Sequence, residues 1–417
     1  MSQRSTQSST PSQALPLQGI CVADFSRVVA GPYCTMLLAD MGADVIKVEH
    51  PTRGDDTRAW GPPYASSSDE ASENPQESAY FLSINRNKRS LRLDLKSEQG
   101  QALAGALIRR ADVLVHNFQA DTASSLGLDV DNAKAINPQL IYATISSYGS
   151  SGPLADEPGY DLLAQAATGL MSITGPPNGE PHKVGVAMVD VLAGLNAAYG
   201  IVAALFERAQ TGHVRQVETS LFEAGLAGLI NVASNALIGG QTPPRLGNAH
   251  PNIVPYQTFI TADEPIAIAV GNDGQFASFA KLLNKPDWAD DARFQTNTAR
   301  VIHRDELIPQ ISEIIQTRSQ QAWLEALSKA NIPAAPVATV DDALNSAQAQ
   351  ARAMVQEIVH PSLGHVPLVS SGLKLDGQPT PIYRHPPRLG EHDDELLAEL
   401  LKDVDNIHDV SNDSLID

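Results

Sequence analysis

Short apolar runs alternate with amphipathic stretches from residue 20 onward, the pattern of an α/β chain. Ile20-Cys21-Val22-Ala23-Asp24-Phe25 reads as a first strand. Ala30-Gly31-Pro32 then opens a helix, with Pro at an early position and apolar residues at Met36, Leu37 and Met41. Asp44-Val45-Ile46-Lys47-Val48 reads as the next strand. Strand, helix and strand within about thirty residues make a βαβ unit, which predicts a parallel sheet. A second unit follows. Ser90 to Leu95 alternates as a strand, Ser97 caps a helix running through Arg110, and Ala111 to His116 returns as a strand. Leu140 to Ile145 is another strand.

The middle of the chain changes character. From Tyr160 to about Gly240 the pattern is helical and rich in Ala, Leu and Gly. Pro243 to Gly274 carries turn residues and then a strand at Ile266 to Val270, and helices return between Phe276 and Ala330. Pro333 to Val340 and Ile358 to Gly377 read as short strands and turns. Tyr64 to Ser78 is polar and low in complexity, a surface loop. No internal repeat is present. The order predicts an α/β domain, a mostly helical middle and a smaller module at 225–330, with the C-terminal part returning to the first domain.

With 42% apolar and 18% charged residues in 417, the chain can bury a large core. No apolar run reads as long enough to span a bilayer. The net charge of −19 argues against nucleic-acid and membrane-surface partners, which would be repelled. Ten Asp or Glu stand against Lys402 alone between Glu391 and Asp417, so residues 401–417 read as a solvated acidic tail. Residues 1–16 are Ser/Gln/Thr-rich without the apolar core of a secretory signal, and read as a disordered leader. Cys21 and Cys34 lie in apolar surroundings and read as free thiols, which points to the cytoplasm. There is no CxxC or HExxH, so no metal is expected.

Few residues carry obvious chemistry. Arg86, Lys88, Arg89, Arg92 and Lys96 form the conspicuous basic cluster of an acidic chain. It is either a guarded strand edge or a docking surface for a polyanionic small molecule. Ala30-Gly31-Pro32 sits where α/β proteins place anionic groups, yet no GxGxxG, Walker A or GxSxG motif occurs. Asn248 and His250 lie in a run of turn formers, where a His is either a surface turn residue or one whose backbone is fixed well for binding a ligand. Asp190 stands in the apolar run Val184 to Leu195, an expensive place for a carboxylate. Two readings are open: the N-cap of the following helix, or a nucleophile kept ionised at a helix N-terminus.

Laid end to end, these blocks resemble the family III CoA-transferases, a group that includes formyl-CoA:oxalate and carnitine-type CoA-transferases and the α-methylacyl-CoA racemases. The resemblance spans about residues 17 to 395. It rests on Gly19 to Phe25, Ala30-Gly31-Pro32, Gly42 to Glu49, Gly54-Asp55 with Arg58, Asn85 to Ser90, Leu93 to Lys96, Ala111-Asp112-Val113 with Asn117-Phe118, and Gly159-Tyr160-Asp161. The look is closest to the dicarboxylate enzymes of the succinyl-CoA:glutarate kind.

The resemblance implies a Rossmann-like large domain built from both chain ends plus a small α/β domain, in an interlocked homodimer. The divisions are a leader at 1–16, large domain at 17–224, small domain at 225–330, a return at 331–400 and the tail at 401–417. It implies Asp190 as nucleophile, carrying CoA between a donor, succinyl-CoA, and a carboxylate acceptor such as glutarate through aspartyl anhydride and aspartyl-CoA thioester intermediates. CoA and its esters are then substrates, with no permanently bound cofactor. The implied CoA contacts are Val29, Ala30, His50, Arg86, Lys88, Arg89, Leu93, Asp94, Leu95, Lys96, Asn117, Phe118 and Tyr160, with Asn248 and His250 on the substrate. Two departures stand out: Gln119-Ala120-Asp121 follows Asn-Phe where family members carry a basic residue and Pro-Gly, and Ser125 replaces a CoA-contacting Arg. A racemase is the alternative activity, but Tyr160 occupies the place of the racemases' His, and a phenol of ordinary pKa is a poor substitute.

Overall fold

The computed structural model describes residues 14–66 and 76–403. Most of the leader, the centre of the polar loop at 64–78 and nearly all of the acidic tail lie outside the described residues. The flanks of that loop, Tyr64–Ser66 and Gln76–Ser78, pair as two antiparallel strands. The chain forms two compact units, Met1–Thr168 with Gly185–Gly228 and Ala347–Asp417, and Gly169–Val184 with Leu229–Ser346. The smaller unit therefore takes in a segment before residue 185 and continues past 330, unlike the divisions expected from the sequence.

The larger unit is built on six parallel strands in the order Lys88–Arg92, Asp44–Glu49, Cys21–Asp24, Val113–His116, Ile141–Ser146, Gln216–Ser220. Numbered by appearance, that order is 3-2-1-4-5-6, a doubly wound sheet with its switch point between the first and fourth strands. Continuous apolar runs such as Val45-Ile46 and Val113-Leu114-Val115 suit strands covered on both faces. On one face the helices Glu98–Arg110 and Asp393–Leu400 contribute Leu103, Leu107, Leu396 and Leu397 to the core. Ser97 caps the first of these helices as expected. Elsewhere in the unit, helix Ala30–Asp40 packs against helix Met188–Thr211. A Cβ on Gly194 would lie 2.7 Å from the Ala30 carbonyl oxygen, so glycine is what lets these two backbones meet.

Three sequence expectations need correction. Gln216–Ser220, inside the stretch read as helical, is the sixth strand. Only Val217 is apolar there, so the strand is set by pairing with Ile141–Ser146 rather than by its own pattern. Helix Met188–Thr211 is long and apolar enough to cross a membrane by length and composition. Its Val189, Ala193, Ala197 and Ile201 are buried within the unit. Third, the strand expected at Ser90 to Leu95 lies earlier, at Lys88–Arg92. This edge strand is covered by the returning chain: Asn87 N–H donates to Arg384 O (2.9 Å), and His392 N–H to Ser90 O (3.2 Å).

The smaller unit has a three-stranded antiparallel sheet, Ala334–Pro336, Pro265–Ala269 and Tyr256–Ile260. Helices Asp273–Leu282, Arg304–Ile315 and Gln320–Lys329 share its core, which contains Phe276, Phe279, Ile311 and Trp323.

Candidate functional site

In a doubly wound sheet the crevice opens where neighbouring connections diverge, beyond the carboxyl ends of the first and fourth strands. Here those ends carry residues 25–29 and 117–119. The first loop is held firmly. Phe25 N–H donates to Val115 O (2.8 Å), and the Asn117 side-chain amide accepts from Arg27 N–H (3.0 Å) and donates to Arg27 O (2.8 Å). Lys47 Nζ donates to Ser26 O (3.0 Å) and Asp55 Oδ2 (2.8 Å), while Asp55 accepts from Val28 N–H at 3.3 Å. These bonds hold Val28 at φ +71°, a strained conformation for a β-branched residue.

The second loop is set by a buried histidine. His116 Nδ1 accepts from Phe118 N–H (3.2 Å), so Nε2 carries the proton and donates to the Tyr142 hydroxyl (2.7 Å), which donates to Leu128 O (2.7 Å). Burial pushes His116 down to about 4, so the ring stays neutral and the tautomer is fixed. Asn117 and Phe118 are thereby aimed into the crevice.

Two cavities meet there, sharing Arg27, Phe118 and Thr122 in their walls. One, of about 200 Å³, is bounded by His50, Arg53, Leu93, Asp94, Leu95 and Lys96. The other, of about 250 Å³, is bounded by Val29, Ala30, Asn117, Tyr160 and Asp190.

Asp190 is not the N-cap. It is the third residue of helix Met188–Thr211, whose N-cap Ala187 offers no side-chain acceptor. The cap comes from Asp161, at the start of helix Asp161–Ala167: its Oδ1 accepts from Val189 N–H (2.8 Å) and Asp190 N–H (3.3 Å). Gln165 Nε2 fixes the other oxygen at 2.6 Å. Asp190 is 9% exposed. Burial, and then the neighbouring Asp161 carboxylate, push its pKa up from an ordinary 3.8 to about 7. A carboxyl poised there is available as an anion near neutral pH and is little solvated, which favours nucleophilic attack.

The structure thus brings together Asp190, Val29, Ala30, Asn117, Phe118 and Tyr160 on one cavity, and His50 and Leu93 to Lys96 on the adjoining one. The docking surface expected of Arg86, Lys88 and Arg89 does not form. Their exposures are 1%, 0% and 6%. Arg86 pairs with Asp40 (2.6 Å), Lys88 with Asp24 (3.2 Å), and Arg89 with Asp44, Glu395 and Glu399. Buried cations need partners: Arg86 and Lys88 pair with buried carboxylates, and Arg89 with carboxylates nearer the surface. Arg92 likewise pairs with Asp393 (2.6 Å), leaving Lys96 as the member of the cluster that lines a cavity.

Asn248 and His250 belong to the smaller unit. Asn248 Nδ2 donates to Thr258 Oγ1 (2.9 Å), and His250 Nδ1 accepts from Asn252 N–H (3.0 Å). Desolvation and then Arg304 lower the His250 pKa. Asp161 stands in the Gly-Tyr-Asp block, but nothing in the sequence marks it as the group that positions Asp190. Arg27 had no sequence signal at all. Among the described residues no group of three or more His, Cys, Asp or Glu could hold a metal ion.

Comparison with known proteins follows the same line. The family model for CoA-transferase family III matches residues 17–393. A succinate–glutarate CoA-transferase of Agrobacterium fabrum is 42% identical, over 94% of this chain and 97% of its own length. A succinyl-CoA:glutarate CoA-transferase of Mus musculus is 39% identical, over 93% and 87%. Among solved structures, a CAIB/BAIF family protein from Brucella suis superposes with a TM-score of 0.80 at 40% identity, over 93% of this chain and all of that one.

Proposed function

Because the chain belongs to CoA-transferase family III, we propose that it moves CoA from succinyl-CoA to glutarate or a dicarboxylate of similar size, with Asp190 as the nucleophile. The observation that carries this reading is a buried carboxylate with its pKa pushed up to about 7, at one end of two adjoining cavities. The adenosine of CoA fits the first cavity, against Leu93 to Lys96 and His50. The thioester then reaches Val29, Ala30 and Asp190.

Ionised Asp190 attacks the thioester carbonyl, and the C–S bond breaks to give a mixed anhydride and CoA thiolate. The thiolate attacks the aspartyl carbonyl, releasing succinate and leaving an aspartyl-CoA thioester. The acceptor carboxylate displaces the thiolate to form a second anhydride. Thiolate attack on the acceptor's acyl carbon then yields the new thioester and restores the aspartate. Each step passes one negative charge between oxygen and sulfur, so no proton has to move. Exclusion of water protects both activated intermediates from hydrolysis.

The test is to incubate the protein with succinyl-CoA and hydroxylamine. An aspartyl hydroxamate at Asp190, absent from Asp190→Ala, supports the reading, and transfer at normal rates in Asp190→Ala sinks it. An acceptor screen read by mass spectrometry of the new CoA ester fixes the dicarboxylate. The racemase alternative is disfavoured, since Tyr160, 61% exposed at the cavity, stands where a second acid–base pair would need a histidine. Absence of deuterium uptake at the α-carbon of a 2-methylacyl-CoA in heavy water eliminates it.

A homodimer is part of this proposal. Leu195, Tyr199, Val202 and Phe206 form an exposed apolar stripe on helix Met188–Thr211, with Tyr199 78% and Phe206 68% exposed. Such a stripe supports a surface that a second copy covers. Light scattering reads the state directly.

A further inference from the structure

We propose that Arg27 binds the diphosphate of CoA, exchanging Asp56 for the ligand as it does so. The inference rests on the CoA reading above and assigns a residue that neither the motif blocks nor the resemblance marked.

Arg27 stands in the wall common to both cavities. Among the described residues lining the Asp190 cavity it is the only Lys, Arg or His, and the acidic residues there are Asp56 and Asp190. Its Nη1 donates to Asp56 Oδ2 at 3.1 Å, with side-chain exposures of 43% and 36%. An ion pair that wet is weak and easily exchanged. Its Nε, by contrast, is buried with no hydrogen-bond partner. A buried guanidinium donor left unmatched is costly, and an arriving acceptor removes that cost. Phe118 lies under the guanidinium, 6.0 Å from its ring centroid to Cζ.

The order of groups in CoA selects the ligand atoms. With adenosine in one cavity and the thioester in the other, the stretch crossing the shared wall is the diphosphate and the neutral pantetheine arm. Only the diphosphate offers the paired anionic oxygens that suit a planar fork of donors. The neighbouring positions that family members fill with cations cannot serve. Gln119 is neutral, and Ser125 Oγ is exposed and donates to Thr122 O in its own helix (2.9 Å). The backbone of Arg27 is held by the Asn117 amide, so replacing the side chain leaves the loop anchored.

The experiment is calorimetric binding of CoA, dephospho-CoA and ADP to wild type, Arg27→Gln and Asp56→Asn, with circular dichroism to verify folding. Arg27→Gln is expected to weaken all three about tenfold or more, because all three keep the 5′-diphosphate. Asp56→Asn, which frees the guanidinium, is expected to tighten all three up to about fivefold. Wild-type affinity for ADP in Arg27→Gln overturns the inference. So does a loss seen with CoA and not with dephospho-CoA, which would place Arg27 on the 3′-phosphate, and so does weakened binding in Asp56→Asn. A wild-type protein that binds none of the three overturns the CoA reading and this inference with it.

Discussion

Replacing Asp190 by Asn should stabilise the folded protein above neutral pH while abolishing transfer. In the folded state the carboxyl titrates at about 7, and in the unfolded chain at its ordinary 3.8. Below 3.8 both states hold the proton and Asp190 has no effect on stability through its charge. Between 3.8 and 7 the unfolded chain releases the proton first, so wild-type stability falls as pH rises. Above 7 the folded state carries the full cost of a buried anion beside Asp161. At about 1.4 kcal/mol for each tenfold change in proton affinity, that cost approaches about 4 kcal/mol, and the positive end of the helix lowers it somewhat. An amide has nothing to titrate, so Asp190→Asn escapes the cost. Urea unfolding of both proteins, followed by circular dichroism at pH 5 and pH 8.5, measures the gap. It should be about 2–3 kcal/mol larger at pH 8.5, other titrating groups being common to both proteins. Circular dichroism is preferable to tryptophan fluorescence because Trp288 and Trp323 lie in the core of the smaller unit. A gap independent of pH, or one that shrinks as pH rises, refutes the burial argument. Consistently, wild-type acylation should increase with pH through a midpoint near 7.

Other substitutions probe separate links. Asp161→Asn keeps an oxygen for Val189 N–H and removes the like charge, so the midpoint of the pH–rate profile should move to lower pH; an unmoved midpoint means burial alone sets it. Gly194→Ala places a methyl 2.7 Å from the Ala30 carbonyl oxygen, and should lower stability by about 1–3 kcal/mol and slow transfer by moving Asp190 away from Ala30; a neutral effect on both would contradict the packing. Arg86→Ala leaves Asp40 buried without its guanidinium and should cost about 3–5 kcal/mol in urea unfolding. Calorimetry on the folded fraction should find its CoA affinity unchanged.

The first βαβ unit, the helix capped by Ser97 and the strand at Val113–His116 were legible because their apolar periods and caps are local. Gln216–Ser220 was not, because its strand character comes from its neighbour Ile141–Ser146. The basic cluster was misread for a related reason. Positive charge in a row looks like surface, but the partners of Arg86 and Lys88 lie 46 and 64 residues away in sequence, where no local pattern reveals them. Asp190 was picked out correctly as an anomaly by its apolar surroundings. Its backbone setting was not, since the group that caps its helix is Asp161, 28 residues before the Val189 N–H that it accepts from. Arg27 was invisible: a single arginine after a strand has meaning only once two cavities are seen to share it.

The strand Lys88–Arg92 is covered by residues from 384 to 393, with hydrogen bonds bridging some three hundred positions. A ribosome therefore delivers the strand long before the segment that caps it. The edge of the nascent sheet stays open while 229–346, the longer of the two segments of the smaller unit, is synthesised. Premature termination or C-terminal proteolysis that removes this segment would expose a pairing edge close to three buried cations, Arg86, Lys88 and Arg89. The integrity of that sheet edge thus depends on residues about three hundred positions downstream of it.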